Sequence, residues 1–175
     1  MFSDPKNNIK QLGLKEGDRV ADFGSGSGHY VIAASEFVGG DGRVYAIDIQ
    51  NALLQKIKNL ATKENRYNID TLWGDIEQLG GTKLADNSID SAILANTFFQ
   101  VENKHNTIAE VRRVLKPKGK LMFVDWADSF SGIGPAPENI VAESEAKQMF
   151  VNGGFEFINR FDAGEHHYGL IFIKK

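Results

Sequence analysis

The chain of 175 residues contains no cysteine. Disulfides, thiolate zinc sites, iron–sulfur clusters and thiol nucleophiles are therefore excluded, and no metal site is read from the sequence. It also lacks the run of roughly 18 apolar residues that a membrane-crossing helix needs. The start, MFSDPKNNIK, shows no apolar signal segment, so a cytoplasmic location without membrane contact is expected. A positive excess is missing too. The 20 Lys and Arg against 23 Asp and Glu leave a formal charge of −3, which gives no general attraction to nucleic acid. No repeat, low-complexity tract or linker divides the chain, and its length suits one domain over residues 1–175.

What the sequence has is an ordinary core supply, 42% hydrophobic residues, and a glycine excess, 18 in all. That is about 10%, against an average near 7%. The rest of the pattern alternates. Asp4 and Pro5 suit the start of a short first helix ending near Gly13. Arg19–Phe23 reads as a strand, then a glycine turn, then a helix from Gly28 with Val31, Ala34 and Val38 on one face, stopped by Gly39 and Gly40. Val44–Ile49 reads as a strand and Gln50–Lys63 as a helix with Leu53, Ile57, Leu60 and Ala61 in one stripe. Ile69–Trp73 is a third strand. After a polar loop, Ile89–Ala95 is apolar enough for a strand covered on both faces at the sheet centre. Lys104–Leu115 reads as a helix and Lys120–Asp125 as a fifth strand. This alternation predicts a parallel sheet with helices on both faces, an α/β fold. The end differs: a helix from about Ala142 to Val151 precedes strands Phe155–Phe161 and His167–Ile173. Their five-residue connection cannot hold a crossover helix, so they are expected to be antiparallel neighbours.

The segment VADFGSGSGHY, Val20–Tyr30, puts Gly24, Gly26 and Gly28 between the first strand and the first long helix. Such a turn lets backbone approach a ligand, and the helix N-terminus offers unpaired N–H groups to its polar part. The dinucleotide spacing GxGxxG would need glycine at position 29, where the chain has His29. Asp48 ends the second strand, 24 residues after Gly24, where a carboxylate can accept both hydroxyls of a ribose. Together these features point to a nucleotide-type cofactor. Plain packing for the glycines and a turn or cap role for Asp48 are the other readings of the same residues.

On these residues the sequence resembles the class I S-adenosylmethionine-dependent methyltransferases, in particular the small-molecule group that includes the ubiquinone and menaquinone biosynthesis enzymes. The resemblance runs from LGLKEGDRVADFGSGSG (Leu12–Gly28) to the final strand. It is carried by Asp22 before the glycine turn, the acid at Asp48, the pair Gly74–Asp75, and RRVLKPKGKLMFVDW (Arg112–Trp126). It implies a Rossmann-like, doubly wound, mostly parallel sheet of seven strands with a C-terminal antiparallel hairpin, in the order 3-2-1-4-5-7-6. It implies S-adenosylmethionine as cofactor. Asp22, Gly24, Ser25, Gly26 and Gly28 would surround its methionine part, Asp48 would hold the ribose, and Ile49 would pack on the adenine. Gly74, Asp75 and Ile76 would bind the adenine edge, and Asn96 would lie near the sulfonium. The activity implied is methyl transfer to a small-molecule acceptor. A nicotinamide-type oxidoreductase and a non-catalytic cofactor-binding protein are the alternatives.

Transfer from a sulfonium is an in-line displacement, so alignment and water exclusion come first, and a base is needed only where the acceptor must lose a proton. Asn96, His29 and Asp125 are the catalytic candidates; His166 and His167 begin the last strand, and His105 reads as exposed. Asn96-Thr97-Phe98-Phe99 departs from the Asn/Asp-Pro-Pro-aromatic motif common in methylation of nucleic-acid bases. The absence of cysteine excludes the arsenite and thiol-dependent cytosine classes. Phe98, Phe99, Trp126 and Phe130 are read either as acceptor-pocket lining or as packing. The run Arg112, Arg113, Lys116, Lys118 and Lys120 reads as a solvated helix end. Acceptor choice is expected to lie in Met1–Leu14 and Trp126–Val141. With so little chain left over, an open acceptor site, or one completed in a homo-oligomer, is expected.

Overall fold

Asp4 and Pro5 do start the first helix. The Asp4 carboxylate accepts from Asn7 N, and α1 (Pro5–Ile9) runs on as a tighter turn until Gly13, whose φ of +62° ends it. In the computed structural model, which describes residues 3–130, 132 and 134–175, strands and helices then alternate. Met1, Phe2, Ser131 and Ile133, from the segments expected to shape acceptor choice, lie outside the described residues. The elements are β1 (Arg19–Phe23), α2 (His29–Val38), β2 (Arg43–Asp48), α3 (Asn51–Lys63), β3 (Ile69–Trp73), β4 (Ile89–Ala95), α4 (Lys104–Val114), β5 (Leu115–Trp126), α5 (Glu143–Asn152), β6 (Phe155–Asp162) and β7 (His167–Lys174).

The seven strands form one sheet in the order β3-β2-β1-β4-β5-β7-β6. The first five are parallel, while β7 lies antiparallel to both β5 and β6. The uniform apolar strand β4 is indeed central, buried from Ser91 to Ala95. β5 is longer than its sequence suggests. Leu115 already pairs with Ile89, a register irregularity follows, and regular pairing begins with Ser91 and Lys120. The Lys-Pro-x-Gly segment is therefore an extended prelude to the strand, with Lys118 at φ +65°, rather than a gap between helix and strand.

Each sheet face carries its own core. Under α4 and α5, Phe98, Phe123, Phe150, Phe155 and Phe172 pack with Tyr168, Leu94 and Val111. The rings of Phe98 and Phe123 meet edge to face at 5.3 Å, and Phe150 lies 4.9 Å from Phe172. Under α1, α2 and α3, Ile9, Val31, Ala34, Val38 and Ile57 cover Val20, Val44, Ile93, Met122 and Val124. Phe98 is thus core packing, and among the described residues it lines no acceptor pocket.

A carboxylate on α4 also enters this interior. The Glu110 side chain on α4 is fully buried, where it pairs with Arg113 at 2.8 Å. It also accepts from Gly80 N, Thr82 N and Thr82 Oγ1, at 2.8, 3.2 and 2.5 Å. The loop between β3 and β4 is fastened to α4 by this carboxylate. Burial alone would raise its pKa. The bonds from Arg113, Thr82 and Gly80 outweigh burial and hold it at about 2, against an ordinary 4.5. A depressed folded-state pKa gives stability that is complete above about 4.5 and lost as pH falls towards 2. Glu110→Ala should lower unfolding free energy at pH 7 by about 3 kcal/mol. Urea titrations from pH 7 to pH 2.5 should show wild type losing most of that advantage below about pH 4, while the variant's profile stays flatter.

Candidate functional site

Because β1, β2, β3 and β4 are parallel, their carboxyl ends lie together at one edge of the sheet, where open α/β sheets collect ligands. There the chain forms a cleft of about 740 Å³. Its walls come from the glycine turn and the start of α2 (Gly24–Ser27, His29, Tyr30), the end of β2 (Asp48–Gln50) and the segment after β3 (Gly74–Glu77). The segment after β4 (Ala95–Thr97, Gln100, Val101) and Ser3 with Pro5 complete it.

Asp48 organises the turn. Its Oδ2 accepts from Gly26 N at 3.0 Å and its Oδ1 from Gln50 N at 2.9 Å, so one carboxylate fixes both the glycine turn and the approach to α3. Gly24 N and Ser25 N both donate to Ile47 O at 2.9 Å, so the first step of the turn still hangs on β2. The three glycines do different work. Gly24 has φ +77°, and a Cβ there would lie 2.6 Å from the Thr97 side chain. Gly28, at φ +82°, would meet Ile57 at 2.7 Å. A Cβ on Gly26 would meet nothing closer than 4.0 Å, so this is the glycine whose open side faces space. Close packing therefore accounts for Gly24 and Gly28, while Gly26 leaves open space beside the backbone.

Of the residues that the resemblance assigns to the cofactor, Gly24, Ser25, Gly26, Asp48, Ile49, Gly74, Asp75, Ile76 and Asn96 line the cleft, and Asp22 and Gly28 do not. Ser25 is buried in the turn, with its Oγ donating to Asp22 O at 2.9 Å. Ile49 is 58% exposed at the cleft wall, and its carbonyl accepts from Trp73 Nε1 at 2.8 Å. Gly74 has no room for a side chain, since a Cβ would lie 2.6 Å from Gly81 O. Asp75 Oδ1 accepts from Glu77 N at 2.9 Å, and Ile76 is buried beside it. Asp22 lies behind the turn, 2% exposed. Burial first, then the charge of Asp48, push its pKa up to about 7, with Ser25 pulling the other way.

Of the three catalytic candidates, Asn96 and His29 line the cleft and Asp125 does not. Asn96 holds a left-handed φ of +53°, which asparagine tolerates, and its N–H donates to Val124 O at 2.8 Å. Its buried Oδ1 has no hydrogen-bond partner and needs a donor. His29 is exposed at the first position of α2, which no side chain caps. Asp125 is 1% exposed at the end of β5, on the face that carries Tyr168. Burial pushes its pKa up to about 7, against the Trp126 and Phe99 N–H groups and the charge of Lys104. His166 Nδ1 meets the Asp128 carboxylate, and its ring stacks on Phe130 at 4.5 Å. His167 is buried against Trp126, with Nδ1 donating to Glu165 O at 2.7 Å.

The cleft also includes residues that local pattern could not find. Tyr30 OH bonds Ser3 Oγ at 3.0 Å and accepts from Asn8 Nδ2 at 2.9 Å, and Asn8 also donates to Ala163 O at 3.2 Å. These bonds tie the N-terminal segment over the cleft to α2 and to the β6–β7 connection. The partners are 22 to 155 positions apart, so no short motif announces them. The electrostatics are one-sided: the lining residues include Asp48, Asp75 and Glu77, and no Lys or Arg.

A family model described as "Methyltransferase domain" matches residues 14–165. The ubiquinone/menaquinone biosynthesis C-methyltransferase UbiE of Pasteurella multocida is 25% identical over 86% of this chain and 66% of its own length. The chain spans about half the length of other curated relatives it matches. Among solved structures, a SAM dependent methyltransferase from Aquifex aeolicus superposes with a TM-score of 0.90 at 29% identity, covering 99% of this chain and 91% of that one. A type 11 methyltransferase from Sulfolobus solfataricus, described as putative, gives 0.78 at 28%, covering 100% and 94%.

The different work of the glycines is testable by thermal or urea unfolding. Gly24→Ala should cost about 2 kcal/mol through its left-handed backbone and the Thr97 overlap. Gly40→Ala, with nothing within 4 Å of its new methyl, should change stability by less than about 0.5 kcal/mol.

Proposed function

The chain belongs to the methyltransferase domain family, and from that premise we propose that it uses its cleft to bind S-adenosylmethionine and to transfer the methyl group to a small-molecule acceptor. When bound, the cofactor supplies an electrophilic methyl on a cationic sulfur. The residues present fit it. Each Asp48 oxygen accepts one backbone N–H and retains a lone pair for a ribose hydroxyl. Ile49 offers an exposed apolar face for the adenine, with Asp75 and Ile76 along its edge. Gly26 leaves room for the methionine part, and the unpartnered Asn96 Oδ1 accepts an N–H or O–H from the ligands.

The observation that carries this reading is the Asp48–Gly26 bond inside a cleft lined by carboxylates and by no Lys or Arg. A nicotinamide dinucleotide brings a diphosphate, which needs free backbone N–H groups or cations. Here the Gly26 N–H is taken, and three carboxylates repel the anion. A sulfonium with an ammonium group gains from the same field. The oxidoreductase alternative therefore loses its support.

In this reading the chain's residues align the reactants. Ser3, Pro5, Gln100 and Val101 narrow the cleft around the acceptor and limit water. Asn96 orients a protic group of the acceptor. His29 at the cleft wall takes up the proton of an acceptor that has to lose one. Asp125 shapes the ground under the β4–α4 segment rather than meeting the acceptor. Among the described residues, no helix is long and apolar enough to cross a membrane. A cytoplasmic enzyme acting on small molecules, its acceptor side completed by a second copy, accords with the open cleft.

Titration calorimetry with S-adenosylmethionine and S-adenosylhomocysteine tests the reading: both should bind one per chain, and reduced nicotinamide dinucleotide should not. Asp48→Asn should weaken cofactor binding at least tenfold, about 1.4 kcal/mol, through loss of charge and of one acceptor. Binding of the dinucleotide in place of the adenosyl ligands would refute it.

A further inference from the structure

The basic run at the end of α4 does not stay together in the fold. Arg113 turns inward to Glu110 and Asp86, Lys116 pairs with Asp90 at 2.6 Å, and Lys120 donates to Leu12 O at 2.9 Å. Arg112 is left over: among the described residues its guanidinium makes no hydrogen bond or ion pair. It lines a groove of about 550 Å³ between α4 and α5. Asp86 and Asn87 of the same groove stand just before β4, and Lys174 ends β7, which runs antiparallel to β5. The groove therefore lies at the amino ends of the parallel strands, on the edge of the sheet opposite the cleft.

Two glycines after α5 shape it. A Cβ on Gly153 would lie 2.3 Å from the Ile108 side chain, so α5 ends hard against α4. Gly154 holds φ +91°, and a Cβ there would lie 2.5 Å from Arg112 Nε, so the missing side chain is the space that the guanidinium stem occupies. The second cation, Lys174, is 8% exposed. Its ammonium donates to Asn87 Oδ1 at 2.7 Å and to Leu115 O at 2.6 Å, which takes two of its three N–H donors. Burial first, and then the like charge of Arg112, lower its pKa against the pull of Asp86. Three cations, Arg112, Arg113 and Lys174, thus stand against two carboxylates, Asp86 and Glu110, both engaged by Arg113. One positive charge is left uncompensated beside the apolar side chains of Ile108, Ala109 and Met149.

We propose that this groove is a second ligand site, which takes a small organic acid with its carboxylate between Arg112 and Lys174 and its apolar body against Ile108, Ala109 and Met149. A guanidinium with free donors meets a carboxylate in a two-bonded fork. The single excess charge selects a monoanion. A phosphate group close to its dianionic form would bring a second charge beside Asp86 with no cation to meet it. The volume falls within the roughly 300–1,000 Å³ usual for small-molecule pockets. The two sites are opposite in sign: the cleft walls carry Asp48, Asp75 and Glu77 without Lys or Arg, so they repel the acid that the groove attracts. The groove site does not depend on what fills the cleft.

The test is calorimetric titration at constant ionic strength with hexanoate, with hexanamide, which keeps the apolar body without the charge, and with inorganic phosphate. Hexanoate should bind one per chain, about tenfold or more tighter than either of the others. Arg112→Gln should weaken hexanoate about tenfold or more. Arg112 is exposed and outside the Glu110 network, so the variant should keep its unfolding temperature. Asn152→Asp keeps the acceptor for Gln148 Nε2 while placing a negative charge on the groove wall, and it should weaken hexanoate too, deciding the matter if Arg112→Gln folds poorly. Lys58→Gln, which removes an equal charge from the exposed side of α3, should leave hexanoate binding unchanged. Saturating S-adenosylhomocysteine should not compete. Hexanamide binding as tightly as hexanoate, phosphate binding more tightly, isotherms unchanged in both groove variants, displacement by S-adenosylhomocysteine, or no saturable hexanoate binding would each overturn the proposal.

Discussion

The cleft depends on one carboxylate. Asp48 sits at the end of β2, accepts Gly26 N with one oxygen and Gln50 N with the other, and so joins three elements that the chain supplies far apart. The β1–α2 turn is held open in its left-handed conformation, α3 begins where it does, and two lone pairs remain on the cleft side. The neighbouring Ile47 carbonyl, accepting from both Gly24 and Ser25, makes the turn an extension of the sheet edge rather than a free loop. The rigidity is economical: a ligand that uses Asp48 meets a group already oriented, with no side-chain freedom left to freeze.

The sign of the cleft follows from the same arrangement. A carboxylate that consumes the Gly26 N–H removes one of the donors on which phosphate binding at such turns relies, and the other wall charges are also negative. The fold is therefore shared with dinucleotide sites, while the field of this cleft disfavours their diphosphate. Fold alone does not assign a reaction. Here the donor set and the field supply what topology leaves open.

Much of this was legible in the chain. The uniform apolar run Ile89–Ala95 predicts a strand buried on both faces, and β4 is the middle of the sheet. The five residues between the last two strands forbid a crossover, and β6 and β7 are antiparallel. Gly24, Gly26, Gly28 and Asp48 are found by spacing because strand-turn-helix geometry is local. Other features were not legible, since their causes are long-range. Asp125 reads as a ligand-side acid from its place at a strand end, yet the β4–α4 segment and the aromatic face around Tyr168 cover it. The Lys-Pro-x-Gly segment reads as a helix stop, and only pairing of Leu115 with Ile89 draws it into the strand. The Ser3–Tyr30–Asn8 contacts join segments that sequence proximity never brings together.

The account's central claim is that the glycine turn locked by Asp48 is the seat of an adenosyl cofactor. The direct measurement is a titration of isotope-labelled protein with S-adenosylhomocysteine, following backbone amide resonances. The account predicts saturable shifts confined to the turn from Gly24 to His29, Asp48 to Gln50, Gly74 to Ile76 and the neighbourhood of Asn96, with a second groove, lined by His105, Ile108 and Arg112 of α4 and Met149 and Asn152 of α5, unchanged. Shifts centred on that groove, or none at the turn at saturating ligand, would contradict it.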